Sequence, residues 1–324
     1  MSHWTHHGGS LAEARATFGE GNAPWLDLST GINPHGWPAE TVGIDWRRLP
    51  EAGALVALET AAADYLGVAP EHVAAVPGSE IGLRLLGTLL EGAARHIPPS
   101  YRTHAEAFPG STPLAADALA RVTDGVVVLA NPNNPDGRIF GARELRAAHE
   151  RLRSGWLIVD EAFADADPTG SVAAQVRDDA RLIVLRSFGK FFGLAGVRLG
   201  FVVAPRPIVA RLRAVLGAWP VSAAAIAIGT AAYRDAAWIA AMRVRLAVEA
   251  ASLDAVLVRC GLSPVGACPL FRLVAVEDAE ATFTHLARRA ILTRPFEGDR
   301  HHLRIGLPVD AAALARLERA LADG

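Results

Sequence analysis

The stretch Leu185-Arg-Ser-Phe-Gly-Lys-Phe-Phe-Gly-Leu-Ala-Gly-Val-Arg-Leu-Gly200 runs from an apolar segment into a turn rich in glycine and phenylalanine that carries Lys190. Among the 32 basic residues of the 324-residue chain, Lys190 is the one lysine. An arginine-biased coding style explains why lysine is scarce, but not why the survivor stands here. Glycines and aromatics partly desolvate an ε-amine and make its charge easier to lose. An amine also condenses with an aldehyde, which a guanidinium cannot do, so Lys190 is a candidate covalent nucleophile at a strand end.

On both sides of this stretch short apolar runs alternate with longer amphipathic segments, the pattern of an α/β fold with a parallel sheet covered by helices. Strands are expected at Val73–Val76, Val126–Ala130, Leu157–Val159, Leu182–Leu185 and Gly200–Val203. The apolar period predicts helices at Glu80–Glu91, Ala142–Arg153 and Pro207–Leu216. After Pro220 the pattern changes to a long helical stretch, Ala223–Arg259, then strand Phe271–Val276, helix Ala279–Arg289, strand Leu303–Ile305 and helix Ala311–Ala322. The expected organisation is an N-terminal segment (residues 1–45) that completes a small α+β domain, a large sheet domain (46–218) and the small C-terminal domain (219–324).

Three further stretches sit at expected strand ends. Asp160 closes the apolar run Trp156-Leu-Ile-Val-Asp160, where open α/β sheets bind ligands, and it suits either a helix cap or a partner for a cationic group. Asn131-Pro-Asn-Asn-Pro-Asp-Gly-Arg138 has the composition of a surface turn. Pro77-Gly-Ser-Glu80 joins a strand to a helix, so its amides suit a phosphate at the helix N-terminus, although serine before a helix is also an ordinary cap.

Composition excludes several classes. Apolar residues make up 51% of the chain, enough for a large core and too many for disorder. A net charge of −2, with arginines alternating with acids along helices, argues against a general nucleic-acid binder. Cys260 and Cys268 are too few for a disulfide framework or a zinc site and point to a reducing compartment. No apolar run reaches the roughly 18 residues of a membrane span and no secretory signal pattern opens the chain, so a cytoplasmic location without metal, membrane or nucleic-acid partners is expected.

The order of the motifs carries more than any one of them. A strand, Gly78-Ser79 and a helix, then Asn-Pro-x-Gly, Asp-x-Ala, and Ser-x-x-Lys with an arginine eight residues on, together resemble the fold-type I pyridoxal-phosphate enzymes of the class I/II aminotransferase superfamily. That resemblance implies a large domain built on a mostly parallel seven-stranded sheet, a small α+β domain, and a homodimer with shared active sites. It implies that Lys190 forms the Schiff base with pyridoxal 5'-phosphate and that Asp160 keeps the pyridine nitrogen protonated. Asn134 would bond the phenolate oxygen, and Tyr101 would stack on the ring. Gly78, Ser79 and Glu80 (through backbone amides), Ser187 and Arg198 would bind the phosphate. Arg304, in Leu303-Arg-Ile-Gly306, matches the arginine that holds the substrate carboxylate.

The N-terminal stretches His7-Gly-Gly-Ser-Leu-Ala-Glu-Ala-Arg15 and Trp25-Leu-Asp-Leu-Ser-Thr-Gly-Ile-Asn-Pro34 are similar to the threonine-phosphate decarboxylases of cobalamin biosynthesis, relatives of the histidinol-phosphate aminotransferases. The similarity implies a lyase that converts L-threonine O-3-phosphate to (R)-1-amino-2-propanol O-2-phosphate and carbon dioxide. Gly31 and Asn33 become substrate-contact candidates and His7 a candidate for the substrate phosphate, for which Arg294 and Arg300 are also candidates. Two positions depart from the aminotransferase pattern: Phe163 replaces the tyrosine of Asp-x-Ala-Tyr, and Leu49 replaces the tyrosine of Tyr-Pro-Asp. Both remove a hydroxyl that serves the cofactor in transaminases. An aminotransferase acting on histidinol phosphate or a similar amine, and a decarboxylase of L-serine O-phosphate, are the alternatives, since one methyl in an apolar pocket is worth only about 1–3 kcal/mol.

Overall fold

A computed structural model describes residues 4, 5, 8–21 and 23–323. It divides into two compact units, the smaller made of Met1–His35, Pro135–Gly137 and Met242–Gly324, the larger of Gly36–Asn134 and Arg138–Ala241. The N-terminal segment gives the smaller unit helix α1 (Leu11–Phe18) and strand β1 (Leu26–Asp27).

The larger unit contains, in order, α2 (Ala52–Leu66), β2 (Val73–Val76), α3 (Ser79–Leu89), β3 (Ala94–His96), α4 (Thr103–Glu106), β4 (Thr112–Pro113), β5 (Val126–Ala130), α5 (Ala142–Arg151), β6 (Trp156–Asp160), β7 (Leu182–Ser187), α6 (Phe188–Phe191), β8 (Gly200–Val203), α7 (Arg206–Leu216) and α8 (Ala223–Arg234). Its seven strands form one sheet in the order β2-β8-β7-β6-β5-β3-β4. Only β8 runs antiparallel to its neighbours. The run Val126-Val-Val-Leu-Ala130 is buried at every position, as a central parallel strand between two helical layers must be. β3 and β4 escape a sequence reading because Ala94-Arg-His96 and Thr112-Pro113 are short and present no apolar run. Among the described residues, no helix is long and apolar enough to cross a membrane, and both cysteines are unbridged.

The long helix expected over Ala223–Arg259 breaks at Asp235 into α8 and α9 (Ala236–Arg259). The Asp235 carboxylate accepts the Trp238 N–H at 3.0 Å and Trp37 Nε1–H at 3.1 Å, so it caps the second helix and anchors Trp37. The unit boundaries also differ from those expected at 45/46 and 218/219. α8 lies against α2 so closely that a Cβ on Gly229 would stand 2.8 Å from Leu58 and 2.5 Å from Leu199, which keeps residues 219–241 with the larger unit.

The rest of the smaller unit is β9 (Pro264–Val265), β10 (Phe271–Ala275), α10 (Ala279–Ala287), β11 (Ile291–Leu292), β12 (Arg294–Phe296), β13 (Asp299–Gly306) and α11 (Ala311–Ala322). Its antiparallel sheet has the order β12-β13-β10-β9, and β1 pairs in parallel with β11. A Cβ on Gly306 would come within 2.4 Å of the Thr30 carbonyl, so glycine is what lets the N-terminal segment lie against the end of β13.

Beneath the carboxyl edge of the large sheet lies a buried ionic cluster. Arg186, in β7, is 1% exposed and donates to the Glu161 carboxylate at 2.5 Å and to Asp165, both fully buried. Glu161 also accepts from Ser171 Oγ at 2.6 Å and the Val172 N–H at 2.7 Å, while Tyr65 donates to Asp165 at 2.9 Å. Burial raises the Glu161 pKa, with the Arg186 charge opposing it. Removing the guanidinium would strand two carboxylates out of water. Arg186→Ala is expected to lower stability by about 3–5 kcal/mol in urea unfolding. Arg206→Ala, on the exposed Arg206–Asp178 pair, serves as control and is expected to lose far less; equal losses would contradict the account.

Candidate active site

Three strand ends meet at the carboxyl edge of the large sheet. Val76 of β2 pairs with Gly200 of β8, and Gly200 pairs with Ser187 of β7. Gly78 follows with φ +93°, a conformation that side chains rarely adopt, and its missing Cβ would stand 2.7 Å from Arg198 Nη2. A Cβ on Gly200 would lie 2.4 Å from the Ser79 nitrogen. α3 therefore begins directly above β8, and its first N–H groups, which have no partner within the helix, open toward the Arg198 guanidinium. Arg198 itself takes a left-handed conformation (φ 55°, ψ 53°) at the end of a short turn. Gly78, Ser79, Glu80, Ser187 and Arg198, separated by over a hundred positions in sequence, thus converge on one cradle suited to a dianion.

Asp160 ends β6, flanked in register by Ala130 of β5 and Leu185 of β7. Its Oδ1 accepts the Ala162 N–H at 3.1 Å, the turn-capping role that is ordinary for aspartate. Its Oδ2 lies 3.0 Å from Nε2 of His104, a histidine with no exposed surface whose Nδ1 has no hydrogen-bond partner among the described residues. With Nε2 as donor, the ring holds one oxygen of the carboxylate at the floor of the site. His104 was not legible as a functional residue; the spacing of three from Tyr101, which brings the two rings to 6.0 Å edge to face, was the available signal.

Lys190 stands in the single turn of α6. Phe188, Phe191 and Phe192 around it are fully buried, with Phe188 stacked on Phe192 at 4.6 Å and Phe192 on Trp238 at 5.6 Å. This aromatic anchor fixes the turn and leaves the half-buried Lys190 as its functional side chain, with Nζ 5.7 Å from the centre of the Phe163 ring. The substitution noted at Phe163 therefore faces the amine directly. Leu49, the other departure, is 65% exposed.

In the Asn-Pro turn, Asn131 bonds Phe140 through both its amide groups and Asn133 donates to the Pro99 carbonyl at 2.8 Å, so these two hold the turn that presents half-buried Asn134. The Tyr101 hydroxyl donates to Glu80 Oε2 at 3.1 Å.

In the smaller unit, Arg304 and Arg294 occupy paired positions on β13 and β12. Both are buried, an arrangement that like charges adopt at a penalty unless an anion lies between or beside them. Arg304 Nη2 donates to the Ser29 carbonyl at 2.8 Å, and its guanidinium lies 4.9 Å over the Phe271 ring. Arg294 donates to the carbonyls of Thr5 at 3.0 Å and Trp4 at 3.3 Å. Burial first, then the Arg294 charge, pulls the Arg304 pKa down to about 9. Gly31 and Asn33 are buried in the segment beyond Ser29, and Asn33 Oδ1 accepts the His35 N–H at 2.9 Å. Arg300 is set apart: its side chain is 81% exposed and 3.5 Å from Asp278, and four residues of strand, about 13 Å, separate it from Arg304. His7 lies outside the described residues.

The aminotransferase class I and II family model matches residues 27–321. The chain is 41% identical to a threonine-phosphate decarboxylase of Pseudomonas aeruginosa over 97% of this chain and 96% of that one. It is 42% identical to a threonine-phosphate decarboxylase of a Sinorhizobium species over 98% of this chain and 97% of that one. The fold matches a histidinol-phosphate aminotransferase of Sinorhizobium meliloti, solved with pyridoxal 5'-phosphate, at a TM-score of 0.83 and 20% identity over 97% of this chain and 94% of that one. It also matches an L-threonine-O-3-phosphate decarboxylase of Porphyromonas gingivalis at a TM-score of 0.78 and 18% identity over 92% and 98% of the two chains. The co-linear motifs, the sheet that gathers them and the match across residues 27–321 make this chain a member of the class I and II aminotransferase family.

Proposed function

We propose that the protein is a pyridoxal-phosphate-dependent decarboxylase of L-threonine O-3-phosphate that releases carbon dioxide and (R)-1-amino-2-propanol O-2-phosphate. The observation that carries this reading is the identity of 41% and 42%, over nearly the full length, to two threonine-phosphate decarboxylases. The larger unit fits the cofactor: the space a Cβ would fill at Gly78 faces a guanidinium and a helix N-terminus, a carboxylate stands at the floor, and an amine stands in the helical turn after the next strand.

When bound, the cofactor supplies an electron-accepting ring conjugated to the substrate Cα. The chain does the rest. The amides of Gly78, Ser79 and Glu80, with Ser187 and Arg198, hold the cofactor phosphate. Asp160, supported by His104, holds a proton on the pyridine nitrogen; Asn134 bonds the phenolate oxygen and Tyr101 covers the ring. Lys190 would hold the cofactor through its amine, and the same amine is placed to carry the proton that Cα must gain. Arg304 orients the substrate carboxylate. A tight grip there stabilises the ground state and would slow departure of carbon dioxide, so the substrate phosphate, bound by Arg294 with Asn33, Gly31 and His7, is assigned most of the binding energy.

A homodimer is part of the proposal. An apolar groove of about 380 Å³ between α2 and α8, lined by Ala54, Ala57, Ile226 and Ala227, adjoins Pro50 and a segment whose Trp46 and Leu49 are 75% and 65% exposed. Sedimentation is expected to give the mass of two chains; a single-chain mass at micromolar concentration would refute this.

The reaction is tested by incubating the loaded protein with L-threonine O-3-phosphate and no keto acid. Stoichiometric carbon dioxide is expected. No carbon dioxide, together with phosphate-dependent amino transfer when a keto acid is added, would instead establish the aminotransferase alternative. L-Serine O-phosphate in a parallel arm is expected to react with kcat/KM lower by roughly 10-fold, the worth of one methyl.

A further inference from the structure

Glu80 carries a side chain that a phosphate cradle does not need. The cradle uses its backbone N–H, and a carboxylate beside a phosphate repels it unless neutralised. Here the carboxylate is both neutralised and engaged elsewhere. Oε1 accepts from Arg84 Nη2 at 3.1 Å and Nε at 3.2 Å and from Thr103 Oγ1 at 3.3 Å, while Oε2 accepts the Tyr101 hydroxyl at 3.1 Å. Arg84 continues to Glu106 at 3.0 Å, and Glu106 takes Arg102 Nε at 3.0 Å. The first turns of α3 are thus cross-linked to the whole segment from Tyr101 to Glu106.

We infer that Glu80 is a positioning residue that sets the plane of the Tyr101 ring, an inference that rests on reading Tyr101 as the ring that covers the cofactor. A tyrosine side chain turns about two torsions, and a ring that stacks on a ligand gains most when both are fixed before binding. The bond from its hydroxyl fixes the far end of Tyr101 just as the backbone fixes the near end. The edge of His104 sits beside it at 6.0 Å, so one short segment supplies a ring for the face of the site and a donor for Asp160. The charge states suit a permanent bond. Burial acts to raise the Glu80 pKa, but Arg84, Tyr101 and Thr103 outweigh it and hold the group below the ordinary carboxylate value. Burial above all pushes Tyr101 up to about 12, so its hydroxyl remains a donor across the working range.

A double-mutant cycle tests this: Glu80→Ala, Tyr101→Phe and the pair, with Tyr101→Ala as reference. The readouts are the dissociation constant of pyridoxal 5'-phosphate and the induced visible circular dichroism of the bound cofactor, which reports ring orientation. Each single variant is expected to weaken cofactor binding roughly five- to tenfold, about the worth of one hydrogen bond, and to diminish the dichroism. In the Tyr101→Phe background, Glu80→Ala is expected to add less than twofold. Equal losses in both backgrounds would overturn the inference. Should Glu80→Ala not fold, Tyr101→Phe alone decides, because it removes the same bond without touching Arg84: unchanged dichroism overturns the proposal. If Tyr101→Ala also leaves affinity and dichroism unchanged, the assignment of Tyr101 to the cofactor fails as well, and the two failures are told apart.

Discussion

The approach of Gly200 to the start of α3, where a Cβ would stand 2.4 Å from the Ser79 nitrogen, is the constraint on which the site depends. It forces β8 to begin directly beneath the first turn of the helix. Because Gly200 also pairs with Val76 and Ser187, the same contact fixes the ends of three strands at one level. Arg198 then reaches Gly78 from two residues upstream. The buried Arg186 cluster ties β7 to the turn after Asp160 through Glu161 and Asp165, so the strand that leads to the lysine turn and the strand that ends in the aspartate are held together by charge as well as by the ladder.

The two units divide the chemistry by kind. The larger gathers an amine, a carboxylate and an anion cradle, the complement of a phosphorylated pyridine aldehyde. The smaller sets two buried arginines opposite each other on paired strands, the positions proposed to take the substrate's anionic groups. Burial first, and then the Arg294 charge, depresses the Arg304 pKa, which is a stability penalty carried by the charged guanidinium.

The larger sheet could be read closely from sequence because its longer strands are continuous apolar runs ended by residues that have little reason to lie in a core. Val73–Val76, Val126–Ala130 and Gly200–Val203 stand in the structure as expected. β3 and β4 could not be found that way, since strands of two or three residues carry no period. The break at Asp235 was hidden because helical periodicity continues on both sides, and it shows only in the structure, where the carboxylate caps α9 through the Trp238 N–H and holds Trp37. The same limit applied to the site. Lys190, Asp160 and Asn134 have motifs, whereas His104 and the Glu80 side chain act through partners over twenty positions away, which no local pattern encodes.

The proposed attachment of pyridoxal 5'-phosphate to the amine of Lys190 at this carboxyl edge is open to an unusually direct measurement, because the chain has no other lysine. Borohydride reduction of the loaded protein, followed by cleavage after arginine and mass mapping, should place one reduced pyridoxyl phosphate on the peptide Ser187–Arg198. Recovery of that peptide unmodified, with the label on the amino terminus or absent, would contradict the account.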